Sequence, residues 1–422
     1  MWSKMEEDSG KLINSVWSRE LDLPPSCVEF CPAHPSYFLV GTYNLQKDDV
    51  DAHTPEQDAG DDDNKDDVKS QAAKPKKAQS RNGSILVFQL QDDNNIVPIQ
   101  TEPQPSALLD LHFNPIEGFW DICATVSSTA TLAIFKLSPG PEDDKPLKHL
   151  NTMDISSLSG GDISASDGSE ILFLSVCWHP SRADMLAVTT NTGHVYLVHL
   201  PAWDKGWKLL PEPATTHTLE AWTVNLSPYL GPTNSPEEVF FRIFSGGDDS
   251  KLRFGTVIWS PSDDHLTETI SAVEARGHDA GVTAILPLFV LEDGSELLVT
   301  GSYDENIRLF SLAPYGRPKN LVEIGLGGGV WRLKLINLDK TPSPTYNWRA
   351  RILASCMHAG SRVVDVLQTV DGEHHVRVLG RFEEHKSMNY GSDFHPQRKD
   401  SLTAVSTSFY DRLLCLWQLD IA

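Results

Sequence analysis

Three stretches of this chain repeat one design. Gly301-Ser-Tyr-Asp304-Glu-Asn-Ile-Arg-Leu-Phe310 reads as a strand end, a tight turn bearing an acid, and a second strand of alternating apolar residues. Gly246-Gly-Asp-Asp249 with Lys-Leu-Arg-Phe254 is a second copy, and Ser408-Phe-Tyr-Asp411 with Leu-Leu-Cys-Leu-Trp417 a third. Weaker copies run along most of the length. Self-similarity at intervals of about 40–50 residues marks stacked β-sheet blades rather than separate domains. The chain is therefore predicted to be all-β, a single β-propeller over 1–422.

Laying strand, turn and strand against the copies gives units over 27–90, 108–137, 174–200, 222–259, 282–312, 330–367 and 390–419, which is seven blades. Asp304 to Phe310 and Asp411 to Trp417 carry the acid-to-aromatic spacing of WD repeats, so the propeller is of WD40 type. The last unit ends on its third strand. A sheet edge left open invites pairing, so Ser15-Val-Trp-Ser-Arg-Glu-Leu21 is predicted to supply the missing outer strand and close the ring. Asp-rich then Lys/Arg-rich composition over about 45–83 cannot bury apolar surface and predicts a disordered insertion. Residues 157–169 read as a second flexible loop, and 337–349 as a shorter third.

A net charge of -23 disfavours a nucleic-acid ligand and favours a basic partner. No apolar run is long enough for a membrane span, and the first residues lack an export signal. The six cysteines, without CxxC spacing, read as buried free thiols in a reducing compartment. A cytoplasmic monomer is expected, with no cofactor and no metal.

No familiar enzyme motif occurs, so candidates come from positions that the ring brings together. Asp249, Asp304 and Asp411 read as structural turn acids, with His278 and His385 hydrogen-bonded to Asp304 and Asp411 as blade staples. His358 aligns with the turn acids; an imidazole there suits a general base, or is satisfied locally by backbone. Cys356, two residues earlier, is either half of a Cys–His pair on one strand face or a core thiol. Glu220, Trp222, Asp248, Tyr303, Trp331 and Tyr410 fall at blade starts or beside turn acids. Facing the channel mouth, they would offer π-faces and carboxylates to a quaternary ammonium; otherwise they are strand packing. Trp178 and Trp417 read as core.

Glu220-Ala-Trp222, Ser245-Gly-Gly-Asp-Asp249, Thr300-Gly-Ser-Tyr-Asp-Glu305, Gly328-Gly-Val-Trp-Arg332, Cys356-Met-His358, Tyr390-Gly-Ser-Asp393 and Ser408-Phe-Tyr-Asp411 together resemble the WD-repeat diphthine methyl ester hydrolases. The resemblance runs from about residue 215 to the end, with a looser match at Cys31-Pro32 and Gly41-Thr-Tyr43. It implies hydrolysis of the methyl ester on the modified histidine of elongation factor 2, and carries no assignment of catalytic residues. The expected mechanism has His358, or His278, activating water, with Arg332 or the Gly327-Gly-Gly329 amides stabilising the oxyanion. A non-catalytic WD40 scaffold is the competing class.

Overall fold

The structure is a computed structural model that describes residues 10–45, 81–140, 144–154, 170–201, 207–210, 213–228, 239–260, 265–313, 317–398 and 401–420. Among them there is no helix. Seven sheets, antiparallel but for one added edge strand, form the blades of a propeller, as the repeats predict. The innermost strands are Pro25–Phe30, Leu108–Phe113, Phe173–Trp178, Ala221–Pro228, Val282–Val290, Arg332–Asp339 and Gly391–Phe394. Each touches the next, and the seventh touches the first, so they wall a closed channel. Apolar residues pack between neighbouring blades. Leu297, Val299 and Leu309 of the fifth blade meet Ile352, Val364 and Val366 of the sixth, for example. Trp178 and Trp417 lie in this core.

Ring closure follows the sequence reading and exceeds it. Ser15–Glu20 pairs antiparallel with Leu413–Leu419, from Ser15↔Trp417 to Glu20↔Leu413, and completes the seventh blade. Just ahead of it, across Asn14, lies a three-residue strand that sequence reasoning missed. Lys11–Ile13 runs parallel to the outer strand His374–Phe382 of the sixth blade, burying Ile13 against Phe382 and Leu419. One N-terminal ribbon thus covers the edges of two adjacent blades.

The insertions are shorter than expected where the structure describes them. Asn44–Leu45 pairs with the start of Arg81–Leu90, so the residues at both ends of the first expected insertion are strand; residues 46–80 and 157–169 lie outside the described residues. The third shrinks to 340–345, because strand runs through Asp339 and resumes at Tyr346. All six cysteines are free, and five are buried.

The turn acids do staple blades, through backbone more than through histidine. Asp304 accepts the Asp279 N–H at 2.9 Å and pairs with Arg308 at 2.8 Å. Asp411 accepts the Lys386 N–H at 3.0 Å. His278 and His385 instead turn Nε2 to Thr300 Oγ1 (2.9 Å) and Ser406 Oγ (2.7 Å), and neither Nδ1 has a hydrogen-bond partner. The expected His–Asp bonds are absent in both because guanidinium, hydroxyl and amide donors already occupy those carboxylates. A direct bond does form in the fourth blade, at His217, which sequence reasoning overlooked: Nδ1–H donates to Asp249 at 2.9 Å. An insertion within that blade sets His217 32 residues before its acid, which hides the repeat's usual spacing.

Burial lowers the pKa of both His278 and His385 to about 4 from an ordinary 6.5. Their neutral rings contribute stability that is present above pH 6.5 and lost as pH falls through 4, worth about 3 kcal/mol each. The thermal midpoint should therefore fall between pH 6.5 and 4. His385→Gln should flatten that fall, which a pH series of calorimetric scans would show. Ile13→Ala should cost about 2–4 kcal/mol in denaturant titration, as for a buried aliphatic side chain. A cost below about 0.5 kcal/mol would mean the three-residue strand contributes nothing to closure.

Candidate active site

Strand register stacks equivalent positions of the blades into layers around the channel. At the mouth, Trp222 is the extra residue of a β-bulge between Ala221↔Gly247 and Thr223↔Gly246, a device that re-aims a side chain out of the ladder. Asp248 follows the second strand of the same blade and accepts the Trp222 indole N–H at 3.0 Å. Tyr303 holds the matching place in the fifth blade; its N–H bonds Gly281 O just as Asp248 N–H bonds Glu220 O. Trp331 ends the loop into the sixth blade, tied to Ser355 O.

These rings meet. Trp222 lies 6.1 Å from Tyr303 and 5.7 Å from Trp331, and Tyr303 lies 5.8 Å from Trp331. The row continues through Tyr390 at 5.0 Å, Phe409 at 5.5 Å and Tyr43 at 6.0 Å. All are half-buried. The result is an arc of π-faces from blades four to seven and one, with the Asp248 carboxylate on its side. Gly281 permits this closeness, because a Cβ there would sit 2.8 Å from Asp248 Oδ1 and 3.1 Å from the Tyr303 ring. Burial, and then Tyr390, Asp248 and Glu220, push the Tyr303 phenol up, so it stays neutral at physiological pH.

Beneath the arc the channel carries ions. Asp110, Arg332 and Ser175 share the first layer; Glu29, His112, Lys334 and Asp393 share the second. Arg332 pairs with Asp110 at 2.9 Å, and His112 Nδ1 with Glu29 at 2.6 Å. Lys334 bridges Glu29 at 3.0 Å and Asp393 at 3.3 Å. Burial alone would neutralise such groups. It lowers the His112 pKa, but Asp110 and Glu29 outweigh it and raise the value to about 9, so the ring is cationic at neutral pH. Burial would likewise raise Asp110, yet Arg332 and His112 hold it well below the usual carboxylate range. A cavity of about 330 Å³ opens among Trp331, Arg332, His112, Lys334, Ser175 and Asn225.

Of the residues singled out from sequence, Trp222, Asp248, Tyr303 and Trp331 converge. Glu220 borders them through its backbone and its charge on Tyr303. Tyr410 does not join the row of rings; it is 71% exposed, its ring meets that of Phe409 at 5.0 Å, and its N–H bonds Ser387 Oγ at 2.8 Å. Arg332 points into the channel, held by Asp110. His358 is exposed on the turn between the second and third strands of blade six. Met357 just before it has positive φ and reaches back toward Gly329.

Two candidates are corrected. Cys356 is fully buried among Ala354, Val364 and Leu297, and burial pushes its thiol up to about 12, so no thiolate nucleophile is available. Its side chain and that of His358 diverge because Met357 leaves the extended conformation, which breaks strand alternation. His278 is buried on Phe310 at 5.4 Å with Nε2 committed to Thr300, and so acts as structure. Sequence reasoning assigned no role to Tyr43, Tyr390, Phe409 or the channel ions other than Arg332. Their signal was present: Asp110-Leu-His112 and Arg332-Leu-Lys334 set charges at alternate positions of otherwise apolar inner strands.

No protein-family model matches the chain. It is 26% identical to a Saccharomyces cerevisiae protein named diphthine methyltransferase, over 96% of this chain and 97% of that one. It is also 26% identical to the Schizosaccharomyces pombe protein of that name, covering 80% and 86%. Among solved structures, the β-propeller domain of Myceliophteria thermophila Cps50 (Swd1) superposes with a TM-score of 0.50 at 10% identity, covering 96% of this chain and 99% of that domain. The last comparison bears on the fold alone.

Cation–π attraction would hold tetramethylammonium at such an arc, each well-placed ring contributing about 1–2 kcal/mol. Trp222→Leu should weaken that binding about tenfold, read from quenching of the remaining tryptophans. A change below about twofold in a folded variant would remove Trp222 from the site.

Proposed function

We propose that this chain, a homologue of proteins named diphthine methyltransferase, is a carboxyl methylesterase. Its substrate would be the methyl ester of diphthine on elongation factor 2. The observation that carries the reading is the aromatic arc with Asp248, one of whose rings, Trp331, immediately precedes Arg332 in the chain: a receptor for trimethylammonium beside a donor for an ester oxygen. A protein substrate accords with two apolar residues exposed around the same face, Leu219 and Tyr410. The net charge of -23 favours a basic partner, such as a factor that approaches ribosomal RNA.

In this reading Trp222, Tyr303 and Trp331 grip the ammonium head and Asp248 balances its charge. His358 is exposed at the rim and takes a proton from water as the water oxygen attacks the ester carbonyl. Charge developing on that carbonyl oxygen meets the Arg332 guanidinium or the N–H groups of Gly328 and Gly329, which make no hydrogen bond among the described residues. The bond from the carbonyl carbon to the methoxy oxygen then breaks. Methoxide leaves as methanol with the proton returned by the imidazolium, and the new carboxyl group ionises to water.

The test is mass spectrometry of elongation factor 2 carrying the methylated intermediate, incubated with purified protein and no methyl donor. Replacement of one methyl by hydrogen, with methanol released, is expected. An unchanged mass with folded protein would favour the scaffold reading, and a methyl gained only when a donor is supplied would mean transfer. General-base catalysis is worth about 10²–10⁴ in rate; His358→Ala should lose at least the lower figure, and retention of half the wild-type rate would strike His358 from the mechanism.

A further inference from the structure

The channel ions are not disposed evenly. The carboxylates are turned into the wall: Asp110 and Asp393 side chains are 1% and 3% exposed, and Glu29 10%. The cations that neutralise them face the lumen, with Arg332 24%, His112 35% and Lys334 37% exposed. Backbone and hydroxyl donors fix this polarity. Ser175 Oγ–H and the Val176 N–H hold Asp110 Oδ2 at 3.0 and 3.1 Å, and the Phe30 N–H holds Asp393 Oδ2 at 2.7 Å. The set balances in charge, yet its cationic edge lines the cavity.

We propose that this cavity is a carboxylate site, so that arc and channel together bind a trimethylammonium carboxylate as a zwitterion. The ligand class rests on the esterase reading. It adds that the enzyme holds its zwitterionic product, with a free carboxylate, more tightly than the cationic ester, and is therefore restrained by that product. The spacing suits one small ligand. Trp331 of the arc and Arg332 of the channel are consecutive residues, with α-carbons about 3.8 Å apart. Lys334 lies two residues further down the same strand, about 7 Å on. An ammonium lodged among the rings thus places a carboxylate a few bonds away against Arg332, with His112 and Lys334 below it. An ester or amide there offers no charge to these three cations.

Intact protein titrated with glycine betaine, with its amide, which keeps the ammonium but lacks the carboxylate charge, and with tetramethylammonium chloride would test this through tryptophan fluorescence. Betaine should bind at least tenfold more tightly than either of the others. Lys334→Met should erase most of that preference while tetramethylammonium binding persists, and Lys334→Arg should restore it. Equal affinities for betaine and amide, or no detectable betaine binding, overturn the proposal, and this comparison on the unaltered protein decides even if Lys334→Met fails to fold. Binding needs no turnover, so the two readings fail separately. A betaine-selective protein without hydrolysis would sink the esterase, and an active esterase without selectivity would sink the carboxylate site.

Discussion

Antiparallel pairing between Ser15–Glu20 and Leu413–Leu419 is the contact on which the mouth of the channel depends. It fixes the seventh blade between the sixth and the first, and so sets the positions of three blades that contribute to the site. Phe409 and Tyr390 come from the seventh blade, Tyr43 and Glu29 from the first, and Trp331, Arg332 and Lys334 from the sixth. Without closure these groups would sit on the ends of an open arc of sheets. Lys11–Ile13 reinforces the junction by spanning to blade six, so one short ribbon covers two sheet edges that would otherwise be free to pair with another chain.

Closure also explains how so many charges are tolerated in the channel. An isolated carboxylate or guanidinium moved out of water would shift its pKa and neutralise. Here each ion meets an opposite one from a different blade: Asp110 of the second against Arg332 of the sixth, Glu29 of the first against His112 of the second and Lys334 of the sixth. The network stabilises the assembled ring and polarises its lumen at once. The aromatic arc above offers π-faces and one carboxylate in place of ion pairs, so the mouth and the channel present contrasting chemistry within a few residues of one strand.

Architecture was legible in the sequence because each blade announces itself locally. A turn acid with a left-handed residue after it recurs at Asp249-Ser250, Asp304-Glu305 and Asp411-Arg412, and alternating apolar strands flank it. The arc was partly legible for the same reason, since blade starts and turns repeat, and Trp222, Asp248, Tyr303 and Trp331 could be placed on one face. Cys356 and His358 show where the method failed. Two residues apart in a strand would share a face, but Met357 at positive φ sends one inward and the other to solvent.

The sequence by itself determined the repeat, the seven blades, the closing strand and the aromatic character of the mouth, all properties of local pattern and spacing. Only the tertiary structure decided which charges meet. Glu29 and Lys334 are 305 residues apart, and no local pattern relates them. It likewise decided that His278 and His385 bond hydroxyls rather than the turn acids, because competition among donors for one carboxylate is settled by packing. The lumen's cationic edge is of the same kind: it arises from which side of each ion pair the closed ring turns toward the wall.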